Sequence, residues 1–314
     1  MLRNYLSSDD PTELLSQTDT LAVLAPASGE SSQSIVSTLL EPIGDDAGLH
    51  EIWKVDNETV ESGRTDNCIW RRSKSLQFCA VSLPLSAQDD YTEVAYQAYS
   101  QILTFISASA HPELLRFWNY IPFINQGTGD AENYKRFCSG RLRAFTEHNF
   151  KDLQFPAASA VGSYQDGITV YALTSSYSPN HHTNPRQVDA FKYPRQYGPS
   201  SPSFARATTI DFEDQQLCFI SGTASILGHN SVHRNDLQLQ LYTTNDNILY
   251  LLKETGFKRT DVRTMRVYVR NQNDAAECQK IVGELFPDTT VIYLHADICR
   301  DELLAEIECF CVND

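Results

Sequence analysis

The stretch from Tyr293 to Cys311, YLHADICRDELLAEIECFC, gathers reactive side chains: Cys299, Cys309, Cys311, His295, Arg300 and the glutamates Glu306 and Glu308. Zinc is the first chemistry to test. Structural zinc sites draw their ligands from two close pairs, and here only Cys309 and Cys311 make one, so no metal centre is expected. Carboxyl chemistry is the second. Taken as a strand, LLAEIECFCV alternates, with Glu306, Glu308 and Phe310 on one face and Ala305, Ile307, Cys309 and Cys311 on the other. The small apolar face belongs against a core, which makes the last two cysteines packed thiols. The two carboxylates then face a cleft or water.

Arginine has the planar fork that suits bidentate recognition of a carboxylate. Arg141 lies in YKRFCSGRLRAF, and Arg195 and Arg206 bracket YPRQYGPSSPSFARA. Each taken singly fits a surface ion pair as well as a binding role. Taken together with Tyr134, Tyr197, Ser203 and the amides of the GTAS turn, they make a pocket for a small aromatic-like dianion. The histidines add less. His229 and His233 in HNSVH have metal spacing only on a helix, and they follow Gly228 in a segment that reads as a loop. His181 and His182 read as solvated.

The elements that must position these groups are legible from about Thr208 onward, where the order is β-β-α-β-α-β-β. Asn235 or Asp236 caps the helix DLQLQLYTTNDNILYLLKETGF, which stops at Gly256. TMRVYVR, TVIYLHA and LLAEIECFCV alternate as strands, and Pro287 ends the helix DAAECQKIVGELF. The first half runs in nearly the same order. EIWKV and CIWRRSKSLQFCAVSL are its opening strands, followed by the helix YTEVAYQAYSQILTFISA, the strand ELLRFWNYIPFIN, the helix NYKRFCSGRLRAFTEHN and two closing strands. A pseudo-duplicated α+β protein is the economical reading. The predicted division is 1–176, a connector at 177–207 and 208–314. The connector is too long and too rich in aromatics and arginine for a slack linker.

Composition bounds the rest. With 314 residues, 41% hydrophobic and 21% charged, the chain reads as an ordinary globular protein of two domains. A net charge of −15 without a basic stripe excludes a nucleic-acid partner. No apolar run approaches the ~20 residues of a membrane helix and no signal block opens the chain, so no membrane partner and a cytoplasmic location are expected. Eight scattered cysteines without a repeated CxxC read as reduced thiols.

RFWNYIPFIN, YKRFCSGRLRAF, YPRQYGPSSPSFARA, SGTASILGH and ADICRDELLAEIE, in that order over roughly residues 50–310, resemble the chorismatases. The resemblance implies two tandem Rid/YjgF-like (chorismate-mutase-like) α+β domains, the first degenerate and the second catalytic, with mixed sheets and helices packed on one face. It implies release of the enolpyruvyl group of chorismate as pyruvate, without metal or organic cofactor. Glu306, first of the EIE motif, is then the acid that protonates the terminal methylene carbon. Cys299 matches the position where members forming 3-hydroxybenzoate resemble one another in carrying cysteine. That residue favours capture by the substrate's own ring hydroxyl over water. Ala224 stands where glycine is expected in dedicated 3-hydroxybenzoate formers, which leaves 4-hydroxybenzoate open as a second product. The substrate clamp is assigned to Arg141, Tyr134, Arg195, Tyr197, Ser203, Arg206 and Ala224. The alternatives are a chorismate hydrolase giving a ring diol, a Rid-like imine hydrolase and a metabolite-binding protein. The resemblance allows a monomer or a Rid-like trimer.

Overall fold

A computed structural model describes residues 1–25, 36–46 and 48–313. The first strands lie outside any repeat. β1 (Leu2–Ser7), helix α1 (Pro11–Ser16), β2 (Thr20–Ala25), β3 (Val36–Ser37) and β5 (His50–Val55) form a small sheet ordered β1-β5-β2-β3, while β4 (Glu41–Pro42) joins a later sheet at its edge. EIWKV, expected to open the first repeat, is therefore part of β5 in a separate sheet. The opening pair comes from CIWRRSKSLQFCAVSL. Expected as one strand, it breaks into β7 (Cys68–Arg72) and β8 (Leu76–Leu83), preceded by β6 (Glu61–Thr65). Serine chemistry makes the break. The Ser73 amide donates to the Leu76 carbonyl at 2.8 Å and its hydroxyl oxygen accepts from the Leu76 amide at 3.1 Å, a local turn that competes with an extended backbone.

Two β-β-α-β-α-β-β units follow. The first is β7, β8, α2 (Tyr91–Ser107), β9 (Glu113–Pro122), α3 (Asn133–Glu147), β10 (Ala157–Ser163) and β11 (Ile168–Ser175). The connector carries β12 (Asn180–His182). The second unit is β13 (Ala207–Phe212), β14 (Gln215–Thr223), α4 (Leu237–Glu254), β17 (Val262–Val269), α5 (Ala275–Leu285), β18 (Thr290–His295) and β19 (Ala305–Asn313), with a hairpin of β15 (Ile226–Leu227) and β16 (Asn230–Ser231) before α4. Asp236 caps α4 by accepting from the Leu239 amide at 2.9 Å. The sheets are ordered β10-β9-β11-β8-β7-β6 and β12-β13-β14-β19-β17-β18-β4. In both, the unit's last strand inserts between its second and third, and its third and fourth strands run parallel. The duplication read from the pattern of the two halves is a duplication of topology.

Each sheet buries one face under its own two helices. On α2 the buried positions Tyr91, Ala95, Ala98, Tyr99, Ile102 and Ile106 recur at helical spacing and pack on Phe117, Ile121 and Val170. The helix-free faces turn toward each other and, with the N-terminal sheet, enclose an aromatic core. In it Trp118 stacks on Tyr171 with ring centroids 4.9 Å apart, and Trp53 meets Phe310 edge-on at 5.0 Å. This packing decides the fate of the last strand. Cys309 and Cys311 lie on the helix side, as alternation predicts, and the glutamate face is interior, not solvated.

Candidate active site

The edge strand of the first sheet, β10, runs against β14 of the second, and a cavity of about 340 Å³ opens at that seam. Small residues make the room: Ala158, Ser159 and Ala160 face it from β10, and Gly222 and Ala224 from the end of β14. Helix α3 contributes Tyr134 and Arg141. It can lie close to α2 because residue 140 is glycine, where a Cβ would stand 2.1 Å from the Thr92 carbonyl oxygen. The connector supplies Tyr193, Tyr197, Phe204 and Arg206, the loop between β18 and β19 supplies Cys299 and Arg300, and β19 supplies Glu306.

Glu306 and Glu308 are both buried, two residues apart on one face of β19, and their surroundings differ. Glu308 accepts hydrogen bonds from Arg116 at 2.8 Å, Trp118 Nε1 at 2.6 Å and Tyr268 at 3.0 Å, also from Ser159, and Arg266 stands 3.2 Å away. Burial alone would raise this carboxyl, but Arg116 and Arg266 hold it below the usual carboxylate range. Glu306 has no such partners. Burial first, and the charge of Glu308 second, push it up to about 8 against the opposing pull of Arg116 and Arg206. One strand thus presents a fixed carboxylate beside a carboxyl that keeps its proton at neutral pH, which separates an acid from an anion.

Backbone geometry sets the position of the acid. β14 pairs with β19 with one extra residue between Ile220 and Thr223, a bulge that re-aims the strand at Gly222. The Gly222 amide donates to Ser159 Oγ at 2.9 Å, and the Glu306 carboxyl lies over the glycine's α-carbon. Cys299 stands nearby. Burial, then the neighbouring Glu306, push its thiol up to about 12, so it is a neutral wall group and not a thiolate nucleophile.

The cationic side of the cavity is Arg141, Arg206 and Arg300. Arg206 donates to the Val188 carbonyl and the Tyr193 hydroxyl, both at 2.8 Å. Arg300 donates to the His229 carbonyl at 2.9 Å and stacks over Tyr197 at 4.0 Å. Among the described residues none of the three has a carboxylate within ion-pair distance. Each keeps a buried nitrogen without a hydrogen-bond partner, Nε of Arg141, Nε of Arg206 and Nη2 of Arg300. Of the other buried guanidiniums, Arg116 and Arg266 are neutralised by Glu308 and Glu51, and Arg71, away from the cavity, donates to the carbonyls of Leu15 and Thr20. Burying an uncompensated cation is costly, so the buried Arg141 and Arg206, converging with the partly buried Arg300 on one cavity, specify an anionic occupant.

Residues 51–174 match the family model described as Chorismatase FkbO/Hyg5-like, N-terminal. The chain is 36% identical over 275 residues to a 3-hydroxybenzoate synthase of Streptomyces hygroscopicus, covering 82% of this chain and 80% of that protein. It is 32% identical over 278 residues to a chorismatase of Streptomyces rapamycinicus, covering 84% and 82%. A crystal structure of a chorismatase superposes with a TM-score of 0.87 at 27% identity, over 99% of this chain and 98% of that one. The chain belongs to the chorismatase family. Its two β-β-α-β-α-β-β units and their helix-covered sheets are the chorismatase fold.

Within this chorismatase, Glu306, Cys299, Arg141, Tyr134, Tyr197, Arg206 and Ala224 line this cavity together. Arg195 does not. It is exposed and forms a two-pronged ion pair with Asp130, at 2.8 and 2.6 Å. Ser203 is buried behind the lining with its hydroxyl unpartnered. Sequence reasoning missed Arg300, Ser159, Tyr193 and Gly222. Arg300 adjoins Cys299 in the stretch that opened the reading, and that adjacency was the available signal. Ser159 sits in a bland AASA segment that carries none.

Proposed function

We propose that this chorismatase is a cytoplasmic enzyme converting chorismate to pyruvate and a hydroxybenzoate, chiefly 3-hydroxybenzoate, with Ala224 admitting some 4-hydroxybenzoate. The observation that carries the reading is the pairing, in one cavity, of a protonated carboxyl at Glu306 with two buried guanidiniums, Arg141 and Arg206, and the partly buried Arg300, none with a carboxylate partner among the described residues. Chorismate is a dianion of matching demand. Arginines on its carboxylates fix the enolpyruvyl methylene against Glu306, which gives up its proton to that carbon. The side-chain carbon bonded to the ring oxygen becomes an oxocarbenium centre.

Two outcomes then compete. Water adding to that centre gives a hemiketal that collapses to pyruvate and a ring diol, its proton returning to Glu306. Alternatively the neighbouring ring hydroxyl attacks the ring carbon bearing the side chain. The ring carbon–oxygen bond breaks with its electron pair going to pyruvate's carbonyl oxygen and the hydroxyl proton returns to Glu306, leaving an arene oxide. Its bond to the carbon that first bore the hydroxyl then breaks toward oxygen, the attacked carbon loses its proton to aromatise the ring, and the oxygen is reprotonated. The neutral thiol of Cys299 occupies the wall where water would approach, which supports the second course. The reading divides the chain at 1–176, 177–207 and 208–314, with the connector bringing Tyr193, Tyr197 and Arg206 to the site.

The test is incubation of the purified protein with chorismate, followed by product analysis. Pyruvate with 3-hydroxybenzoate is expected. Pyruvate with a non-aromatic diol would make the chain a hydrolase, and no turnover would sink both.

A further inference from the structure

Arg270, the first residue after β17, does not line the cavity, yet all five of its N–H groups are spent on one segment and its support. Nε donates to the Leu303 carbonyl at 2.7 Å. Nη1 donates to Asn125 Oδ1 at 3.0 Å and to Asp297. Nη2 donates to the carbonyls of Ile298 and Arg300, both at 2.9 Å. The carbonyls of the residues on either side of Cys299 are thus tied to a single nitrogen, and the ends of the 297–303 loop to the rest of the fork. Asn125 reinforces the tether by donating to the Ile298 carbonyl at 3.0 Å, and Asp297 exchanges backbone hydrogen bonds with Gly162 on β10. Among the described residues, no other side chain makes polar contact with so much of this loop.

We infer that Arg270 is a specificity-determining positioning residue: by clamping the backbone on both sides of Cys299 it holds the thiol against the reacting carbon and so sets the ratio of intramolecular capture to hydrolysis. The inference rests on the proposed chorismatase reaction. Its physical basis is that excluding one water requires the wall group to be placed to within a fraction of its diameter, and a side chain on a loop has only the rigidity its backbone tethers supply. Lysine cannot replace the fork. It offers three donors on a flexible stem, so at least two of the five tethers are lost. Arg300, on the same loop, will shift too and weaken binding. The product ratio is therefore the diagnostic readout, because it is decided after the substrate is bound.

The experiment compares wild type, Arg270→Lys, Cys299→Ala and the double variant for diol and hydroxybenzoate formed from saturating chorismate. Arg270→Lys should raise the diol-to-hydroxybenzoate ratio about fivefold or more. In the Cys299→Ala background it should add nothing, because the group it positions is gone. Asn125→Ala, which removes two contacts of the same tether, should move the ratio in the same direction and serves if Arg270→Lys does not fold. An unchanged ratio in a variant that still turns over, or an independent further rise in the double variant, overturns the inference. So does a wild-type enzyme that yields diol alone. Failure of wild type to release any pyruvate from chorismate strikes the functional reading instead, and the two failures are distinguishable.

Discussion

The carboxyl group of Glu306 rests on the α-carbon of Gly222: a Cβ built there would stand 1.9 Å from Oε1, 2.7 Å from Cδ and 2.9 Å from Ser159 Oγ. The glycine backbone is held by the bond from its amide to Ser159, so the side that yields is the Glu306 carboxyl at the cavity wall. Gly222→Ala should therefore fold, at an overpacking cost of about 1–3 kcal/mol, with its acid displaced. The expected result is a fall in kcat of about 10²-fold or more with KM little changed, because the arginines are untouched. A variant with wild-type kcat would remove Gly222 from the positioning of Glu306.

Activity depends on Glu306 holding its proton, so the sign of the pH dependence follows. With the carboxyl raised to about 8 by burial and by Glu308, kcat/KM should be flat through neutrality and fall with unit slope above that value. Glu306→Gln should cost about 10²–10⁴-fold and abolish the basic limb. A profile that instead rises with pH through the same range would show the carboxylate acting as a base.

How much of this was legible beforehand depends on the scale of the cause. Alternation along LLAEIECFCV sorted Cys309 and Cys311 from Glu306 and Glu308 because period two is a local property of the strand. Whether the glutamate face met water or a second sheet was a tertiary matter, and nothing within ten residues of Glu306 encodes it. Arg116 and Arg266 occupy equivalent strands of the two units; Arg266 meets Glu308 as its cross-strand neighbour, but Arg116 reaches it only because the units face each other. Arg195 and Arg206 look alike in the connector motif. Only the burial of one and the exposed Asp130 beside the other separate them.

Glu308→Gln tests the division of labour between the two carboxyls. Removing the negative charge beside Glu306 takes away one of the two causes that raise it, so the basic limb should move to lower pH. The same substitution leaves Arg116 without a counter-ion in the interior, while Arg266 keeps Glu51, at a cost of about 3–5 kcal/mol. Urea unfolding read beside the pH–rate profile separates these effects. A limb that stays in place would mean that burial alone sets the proton affinity of Glu306.

The arginines can be ranked by a matched pair of truncations. Arg206 is buried at the cavity with Nε unpartnered, so a bound carboxylate would be held by a desolvated charge; losing such a partner costs about 2–5 kcal/mol. Arg206→Ala should raise KM by about 10²-fold, and it should lower kcat as well if the lost contact also orients the methylene toward Glu306. Arg195 is paired with Asp130 in open solvent, where such pairs contribute about 0–1 kcal/mol. Arg195→Ala should leave KM within about threefold of wild type. Steady-state kinetics on the two variants decides the assignment, since equal losses would put Arg195 back among the groups that hold the substrate, through a movement of the connector that closes it over the cavity.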